Sequence, residues 1–274
     1  MSFSINTNVG SSQANLYATQ NSLNQNKTLA GLSSGSSLTQ SANDAASLAI
    51  SEKLLALVSG SGQAIQNSNE TIGLIQTADG ALQGIEDNTQ RIRVLTLQAS
   101  NDTMSADNRE SIQKEIDALS SSSSDIASST SFNGINLLDG TGGSQGNGTF
   151  TTQTGPDAGN TQSVTIADAR SMVGTVDVTT QAGRDAALST IDDGLKAIGE
   201  SRSDLGAAQN SLMSSVRNTT VSQINAASAA SQLADIDFAA ESANFSRQNL
   251  LAQTGSFAQA QANSMGSNIA SLLG

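Results

Sequence analysis

Two acidic pairs, Asp192-Asp193 and Asp235-x-Asp237, have the residue types and spacing to hold a cation. A metal site built on them would need further oxygen ligands close by. Neither pair has them at suitable spacing, so each reads as a solvated helix face. A glycine cluster, Gly140, Gly142, Gly143, Gly146 and Gly148, could present backbone N–H groups to a phosphate. No Lys follows it and no helix opens after it, so it reads as a flexible turn. The chain has no His, which removes the commonest general base and metal ligand, and no Cys, which removes disulfides and thiolate zinc sites. Phosphate-loop, nucleophile-elbow and dinucleotide glycine motifs are missing, and N-x-S/T matches such as Asn69 and Asn218 fall in helical pattern. These residues define no catalytic site, no metal site and no cofactor.

The elements around them are more telling. Residues 1–42 hold one charged side chain, Lys27, amid Asn, Ser, Gln and Thr. Through them Val9, Leu16, Leu23 and Ala30 recur at sevenfold spacing, with Ile5 one step upstream. At the other end Leu251, Ala258, Ala262, Met265, Ile269 and Leu272 step by sevens, fours and threes. A 3.5-residue period with little charge predicts a helix whose narrow stripe packs on another helix. Neither end buries such a stripe alone, so the pattern predicts completion by neighbouring molecules.

Composition narrows the class. Of 274 residues only 3% are aromatic and none is Trp, which argues against a broad, thick core. Thin helical packing needs only Leu, Ile, Val and Ala. The net charge of −12 has the wrong sign for a phosphate-binding surface, so nucleic acid is not expected as a partner. No apolar run of about 18 residues is present to span a membrane. The N-terminus lacks the basic-then-apolar layout of a cleavable secretory signal.

Between the ends, Leu32 to Ser37 reads as a turn-rich connector. Asn43 or Asp44 suits the N-cap of a helix running to about Ala99, in which Val58, Ile65 and Ile72 recur by sevens, as do Ile75 with Leu82 and Ile85, Ile92 with Ala99. At about 1.5 Å per residue this is a rod on the order of 80 Å long. Asn101 to Ser105 breaks it, and a second helix spans Ala106 to Ser129 with Ile112, Ile116 and Leu119 inward. Beyond Asn133-Gly134, Gly, Thr and Ser dominate; Thr149–Thr154 and Thr161–Ala167 alternate as strands around a Gly155–Asn160 turn. Helix resumes near Gly183, and Ile191, Leu195, Ile198, Arg202, Leu205, Gln209, Leu212, Val216, Thr219 and Gln223 keep a 4-3 spacing. Arg202, Gln209 and Gln223 stand where a coiled coil would carry Leu. Polar seam residues fix register and partner; they also suit a wet groove, and periodicity leaves both open.

Particular strings then carry a resemblance. They are Ser4-Ile5-Asn6-Thr7-Asn8-Val9, Leu32-Ser33-Ser34-Gly35, and Ser41-Ala42-Asn43-Asp44-Ala45-Ala46 with Leu48-Ala49-Ile50-Ser51. Gln90-Arg91-Ile92-Arg93, Ile112-Gln113-x-Glu115-Ile116, Thr130-x-Phe132-Asn133-Gly134 and Leu137-Leu138-Asp139-Gly140 follow. Ala234-Asp235-Ile236-Asp237, Phe245-Ser246-Arg247, Gln261-Ala262-Asn263 and Leu272-Leu273 complete them. In order and orientation, over residues 1–140 and 184–274, the chain resembles bacterial flagellin.

The resemblance implies a mainly α fold: a long helical rod and coiled coil from paired N- and C-terminal segments, with a small β-hairpin region. It implies an inner coiled-coil domain from 1–42 with 233–274, and a rod-like helical domain from 43–140 with 183–232. A short surface region, 141–182, stands in place of large outer domains. Ile5, Val9, Leu16, Leu23, Leu251, Ala258, Met265, Ile269 and Leu272 become the inner-coil assembly residues. The implied function is that of a structural subunit of the bacterial flagellar filament, a helical propeller for motility, and not that of an enzyme. The implied location is extracellular, reached by export without a cleaved signal peptide. Implied partners are many copies of the chain itself, an export chaperone, and the filament cap and hook-junction proteins. A hook–filament junction protein is the alternative, since it shares such ends, though its middle is typically larger. A secreted hydrolase or adhesin on a helical stalk would need a nucleophile with a base, or a β-rich head.

Finer expectations rest on the same resemblance. A host Toll-like receptor is matched by Arg91, Leu95 and Glu115, residues that also suit subunit contacts; Val94 stands where the family has an acid. For a switch between filament forms, the seam residues Gln209 and Gln223 and the glycine segment with Gly142 and Gly143 are rivals. The Ser and Thr of 141–182 suit O-glycosylation or simply loops and strands. Absence of Cys and a single proline, Pro156, suit a chain threaded unfolded and refolded quickly. Ordering some eighty terminal residues costs on the order of 100 kcal/mol of backbone entropy, so both ends are expected to order on assembly. The chain departs from the family at Ser36-Ser37, Val94 and Gly274.

Overall fold

The computed structural model describes residues 8–39 and 44–273, with side chains over the same span except at 269, 270, 272 and 273. Ile5, Asn43 and Gly274 lie outside the described residues, as do the side chains of Ile269 and Leu272. The elements are α1 (Val9–Ser34), α2 (Ala45–Ala99), α3 (Ala106–Ser129), β1 (Ser131–Phe132), β2 (Ile135–Asn136), β3 (Thr149–Gln153), β4 (Thr161–Thr165), a 3-10 turn (Ala169–Ser171), α4 (Gln181–Ala234) and α5 (Phe238–Leu273). The fold is mainly α, as the sequence predicts.

Capping explains where the helices begin and end. The Asn8 side chain accepts from Ser11 N at the start of α1, and Gly35 closes that helix at φ 71. Asp44 accepts from the backbone N–H groups of Ala46 and Ser47 and from the Ser47 hydroxyl ahead of α2. Ser105 accepts from Asn108 N at α3, and Asp237 accepts from Ala239 N and Ala240 N at α5. One member of the Asp235-x-Asp237 pair is therefore a helix cap.

β3 and β4 form the expected antiparallel hairpin, in register from Thr149 opposite Thr165 to Gln153 opposite Thr161. A second, two-residue hairpin joins β1 to β2, which the sequence reading does not anticipate. It arises at Asn133-Gly134, where both φ angles are positive, 51 and 76, the pair that a tight type I′ turn requires.

By packing, the chain divides into two compact units: residues 1–56 with 225–274, and residues 57–224. In the second unit the core of α2 is a strict 3-4 row: Ser61, Ala64, Ser68, Thr71, Ile75, Ala78, Leu82, Ile85, Thr89, Ile92, Thr96 and Ala99 are all buried. Half of that row's first six positions are hydroxyl residues, so Val58, Ile65 and Ile72, read from the sequence as a seam, instead flank it half-buried. Ser68, Thr71, Thr89 and Thr96 satisfy their hydroxyls on the carbonyl one turn back. Ser61 Oγ finds no partner among the described residues. Against this row pack Ile198, Leu205 and Leu212 of α4, together with Leu137, Leu138, Phe150, Val164 and Ile166. A second cluster joins Ile92, Leu95 and Ala99 to Ile112 and Ile116 of α3, Ile191 of α4, and Val176 and Val178 of the segment before it.

Candidate functional site

In the first unit, α1 and α5 lie side by side and antiparallel: Asn8 bonds the carbonyl of Ala262, Asn15 accepts from Gln259, and Asn21 bonds the carbonyl of Gln248. Thr28 accepts from Gln248 at 3.1 Å, and Gln25 donates to Asn249. The face of α1 turned to α5 runs Ser11, Ala14, Ala18, Asn21, Gln25, Thr28, all buried or half-buried. It keeps the 3-4 spacing of a coiled-coil seam, but with small and amide side chains in place of leucines. Sequence reasoning missed this face because it carries no apolar periodicity; the regular spacing of Asn and Gln was the available signal.

The apolar stripe that does show in the sequence points elsewhere. Val9, Leu16 and Leu23 are 64%, 68% and 60% exposed, on the side of α1 turned away from α5. Leu251, Ala258 and Met265 are likewise exposed along one flank of α5. Soluble monomers rarely leave such a contiguous apolar row in water. Two rows of it lie on a pair held together by amides.

Connectors close the pair at its base. Ser36 bridges Asp235, Ser37 N donates to the carbonyl of Ala234 at 2.7 Å, and the Ser37 hydroxyl reaches the carbonyls of Leu233 and Ala234. Ser36 and Ser37 therefore tie the two connectors together directly.

Other sequence-derived candidates are dispersed. Arg91 and Glu115 form an exposed ion pair at 2.7 Å, but Leu95 is only 2% exposed and belongs to the core beside Ile112 and Ile116. The three residues do not form one open surface; exposed Val94 stands one turn from Arg91 on α2. Asp192 pairs with Arg93 at 2.8 Å. Arg202 spans Asp79 and Glu86, one heptad apart on α2, at 2.8 and 2.6 Å. The hydrogen bonds to these two carboxylates hold its guanidinium above the ordinary arginine value. Gln223 donates to the carbonyl of Val58 at 3.1 Å, while half-buried Gln209 has no hydrogen-bond partner among the described residues.

Gly142 and Gly143 sit in the turn between β2 and β3. A Cβ on Gly142 would fall 2.5 Å from the carbonyl oxygen of Asn136, and one on Gly143, at φ 82, 2.0 Å from that of Thr149. Close backbone approach, not looseness, demands these glycines. Beside them Asp139 accepts from Thr141 N, the Thr141 hydroxyl and Asn136 Nδ2, which lowers its carboxyl to about 2. Arg170, held by Asp168 at 2.9 Å, caps the Asp139 carbonyl. Of the acids read as possible cation ligands, Asp192 is thus held in an ion pair, Asp235 accepts from Ser231 and Asp237 caps α5. A groove of about 500 Å³ between Ser61, the β3–β4 turn and Asn218 of α4 is lined by hydroxyls, amides and backbone, without a charged side chain.

A helical chain with an exposed apolar stripe along each of its paired terminal helices is the class of protein that assembles. Comparison with known proteins agrees. Residues 5–142 match the bacterial flagellin N-terminal helical region and residues 188–273 the C-terminal helical region. The flagellar filament 31.3 kDa core protein of Treponema maltophilum is 35% identical over 98% of this chain and 99% of its own. The flagellin of Bacillus subtilis (strain 168) is 35% identical with the same coverage of both chains. Among solved structures, Bacillus cereus flagellin aligns over 56% of this chain and 88% of its own at a TM-score of 0.51 and 28% identity. A putative flagellar hook-associated protein from Vibrio parahaemolyticus shares the fold, at 14% identity and a TM-score of 0.60 over 70% of this chain and all of its own.

The chain belongs to the bacterial flagellin family. It is a structural subunit of the flagellar filament, a helical polymer, in its short form without large outer domains, and not an enzyme. Among the described residues no helix is long and apolar enough to cross a membrane.

Proposed function

We propose that Val9, Leu16 and Leu23 on α1 and Leu251, Ala258 and Met265 on α5 are the surfaces through which copies of this chain join in the filament. The observation that carries this is the exposure of both stripes on a pair whose own contact is polar. Apolar area removed from water is worth roughly 25 cal/mol per Å²; amides exchanged for water are worth far less. The paired ends therefore gain most of their stability from neighbours, and they order as they add to the polymer.

In this reading residues 1–42 with 233–274 form the inner layer, residues 43–140 with 183–232 the rod around it, and 141–182 the outer surface. The subunit leaves the cell through the flagellar export route without a cleaved signal. An export chaperone covers the apolar stripes before assembly, and the cap and hook-junction proteins meet the same stripes at the two ends of the filament.

Seeded polymerisation is the test. Full-length protein is expected to elongate filaments, while removal of residues 1–42 or 233–274 leaves a folded, soluble remainder that does not. Growth of native filaments from the trimmed protein, seen by electron microscopy, would refute the assignment.

A further inference from the structure

The α1–α5 pair leaves a groove of about 500 Å³ along one flank, lined by Tyr17, Asn21, Leu251, Thr254, Gly255 and Ala258 among others, none of them charged. It is open at position 255, where an added Cβ would meet nothing within 4 Å. Glycine inside a helix costs about 1 kcal/mol relative to Ala, and nothing within the chain requires it there. On the same helix Phe257 is 79% exposed, the most exposed large apolar side chain among the described residues. It lies two residues from both Gly255 and Gln259, the residue that bonds Asn15 of α1. At 100° per residue it therefore points away from α1, and it stands about 60° round the helix from Thr254, the near edge of the groove. Leu250, seven residues earlier on the same line, is exposed as well.

The chain thus carries an apolar knob on the back of α5 and an apolar groove on the flank of the α1–α5 pair. A knob and a hole on different faces join copies head to tail, and such a contact generates an open helix when it does not close on itself. We propose that Phe257 of one copy seats in the groove between Tyr17, Leu251 and Gly255 of the next, with Leu250 covering the rim. The occupant is a second copy because a filament subunit is surrounded by copies of itself, and the proposal rests on that role. An aromatic ring brings a large apolar area at little conformational cost, the usual make-up of an interface anchor. Gly255 is explained by the same contact: a side chain there would fill the hole.

Photo-crosslinking of full-length protein in filaments tests this. A benzoyl-phenylalanine at position 257, in filaments mixed from isotopically light and heavy copies, is expected to give intermolecular links to Tyr17, Leu251 or Thr254. Links confined to Leu16, Leu23 or residues 57–224, or none between copies, overturn the proposal. In parallel, Phe257→Ala and Gly255→Leu are each expected to raise the critical concentration for elongation about tenfold or more. Leu favours helix over Gly, so loss of elongation in Gly255→Leu does not come from a weakened helix, and an unchanged melting transition of the 57–224 unit excludes misfolding. Wild-type elongation by Gly255→Leu overturns the contact alone. Failure of the unmodified chain to elongate overturns the filament role and the contact with it.

Discussion

Asp139 and Arg202 show how much of the 57–224 unit hangs on single charged side chains. The Asp139 carboxylate accepts three hydrogen bonds in the turn that leads to β3, and its folded value of about 2 lies below that of an unfolded aspartate, about 3.9. A depressed carboxyl contributes stability that is complete above the unfolded value and lost as pH falls through the folded one. Asp139→Asn is therefore expected to lower the melting temperature at pH 7 and to flatten its decline between about pH 4 and 2; an unaltered acid limb in calorimetry would count against this. Arg202 reaches two acids with separate nitrogens, Nε to Asp79 and Nη1 to Glu86. Lys offers one point charge and cannot span both. Arg202→Lys should restore only part of the roughly 1–3 kcal/mol expected to be lost in Arg202→Ala, as read by urea denaturation.

At the scale of elements, the α2 row and the β2–β3 turn make opposite demands. Ser61 stands in the buried row with a hydroxyl that finds no partner among the described residues. An unsatisfied buried polar group costs on the order of 1 kcal/mol or more. Ser61→Ala is expected to stabilise the subunit by about that amount, and a destabilised variant in denaturant titration would contradict the assignment. Gly143 tolerates no side chain, since φ 82 and the Thr149 carbonyl both forbid a Cβ. Gly143→Ala should therefore destabilise by about 1–3 kcal/mol. Its effect on filament waveform would then report a damaged turn, not a stiffened hinge. The rival seam residues are better probes of switching, because Gln209→Leu changes a half-buried side chain without a hydrogen bond to lose.

For the whole molecule, the contrast between the two units decides behaviour. Residues 57–224 hold both buried apolar clusters, while the α1–α5 pair of the other unit is joined through amides and leaves Leu16, Leu23, Leu250 and Leu251 in water. Chain entropy of about 1–2 kcal/mol per residue is not offset by so polar a contact. Monomer in solution is expected to show less helix by far-UV circular dichroism than the same protein in filaments, with the gain appearing as copies add. Equal helicity before and after polymerisation would mean that the ends are ordered from the start.

The sequence alone determined that the chain is mainly helical and where α2 gives way to α3, since the cap Asp44 and the break Asn101–Ser105 are local in origin; Asp237, which reads in the sequence as part of a solvated helix face, instead caps α5. It also determined the β3–β4 hairpin, through alternation around Gly155–Asn160, and the family, through short strings in a fixed order. It could not say which face of a terminal helix meets its partner. Hydrophobic periodicity marks a face suited to burial, and here the chain itself leaves that face exposed, so the visible stripe and the α1–α5 contact fall on opposite sides of α1. For the same reason Val58, Ile65 and Ile72 outshone the Ser and Thr of the true α2 seam, whose burial depends on how closely α4 and the hairpin approach. The burial of Leu95, the need for Gly142 and Gly143, and the Arg202 bridge are likewise matters of what lies across the gap. Only tertiary packing sets those distances, because they depend on residues far apart in the chain.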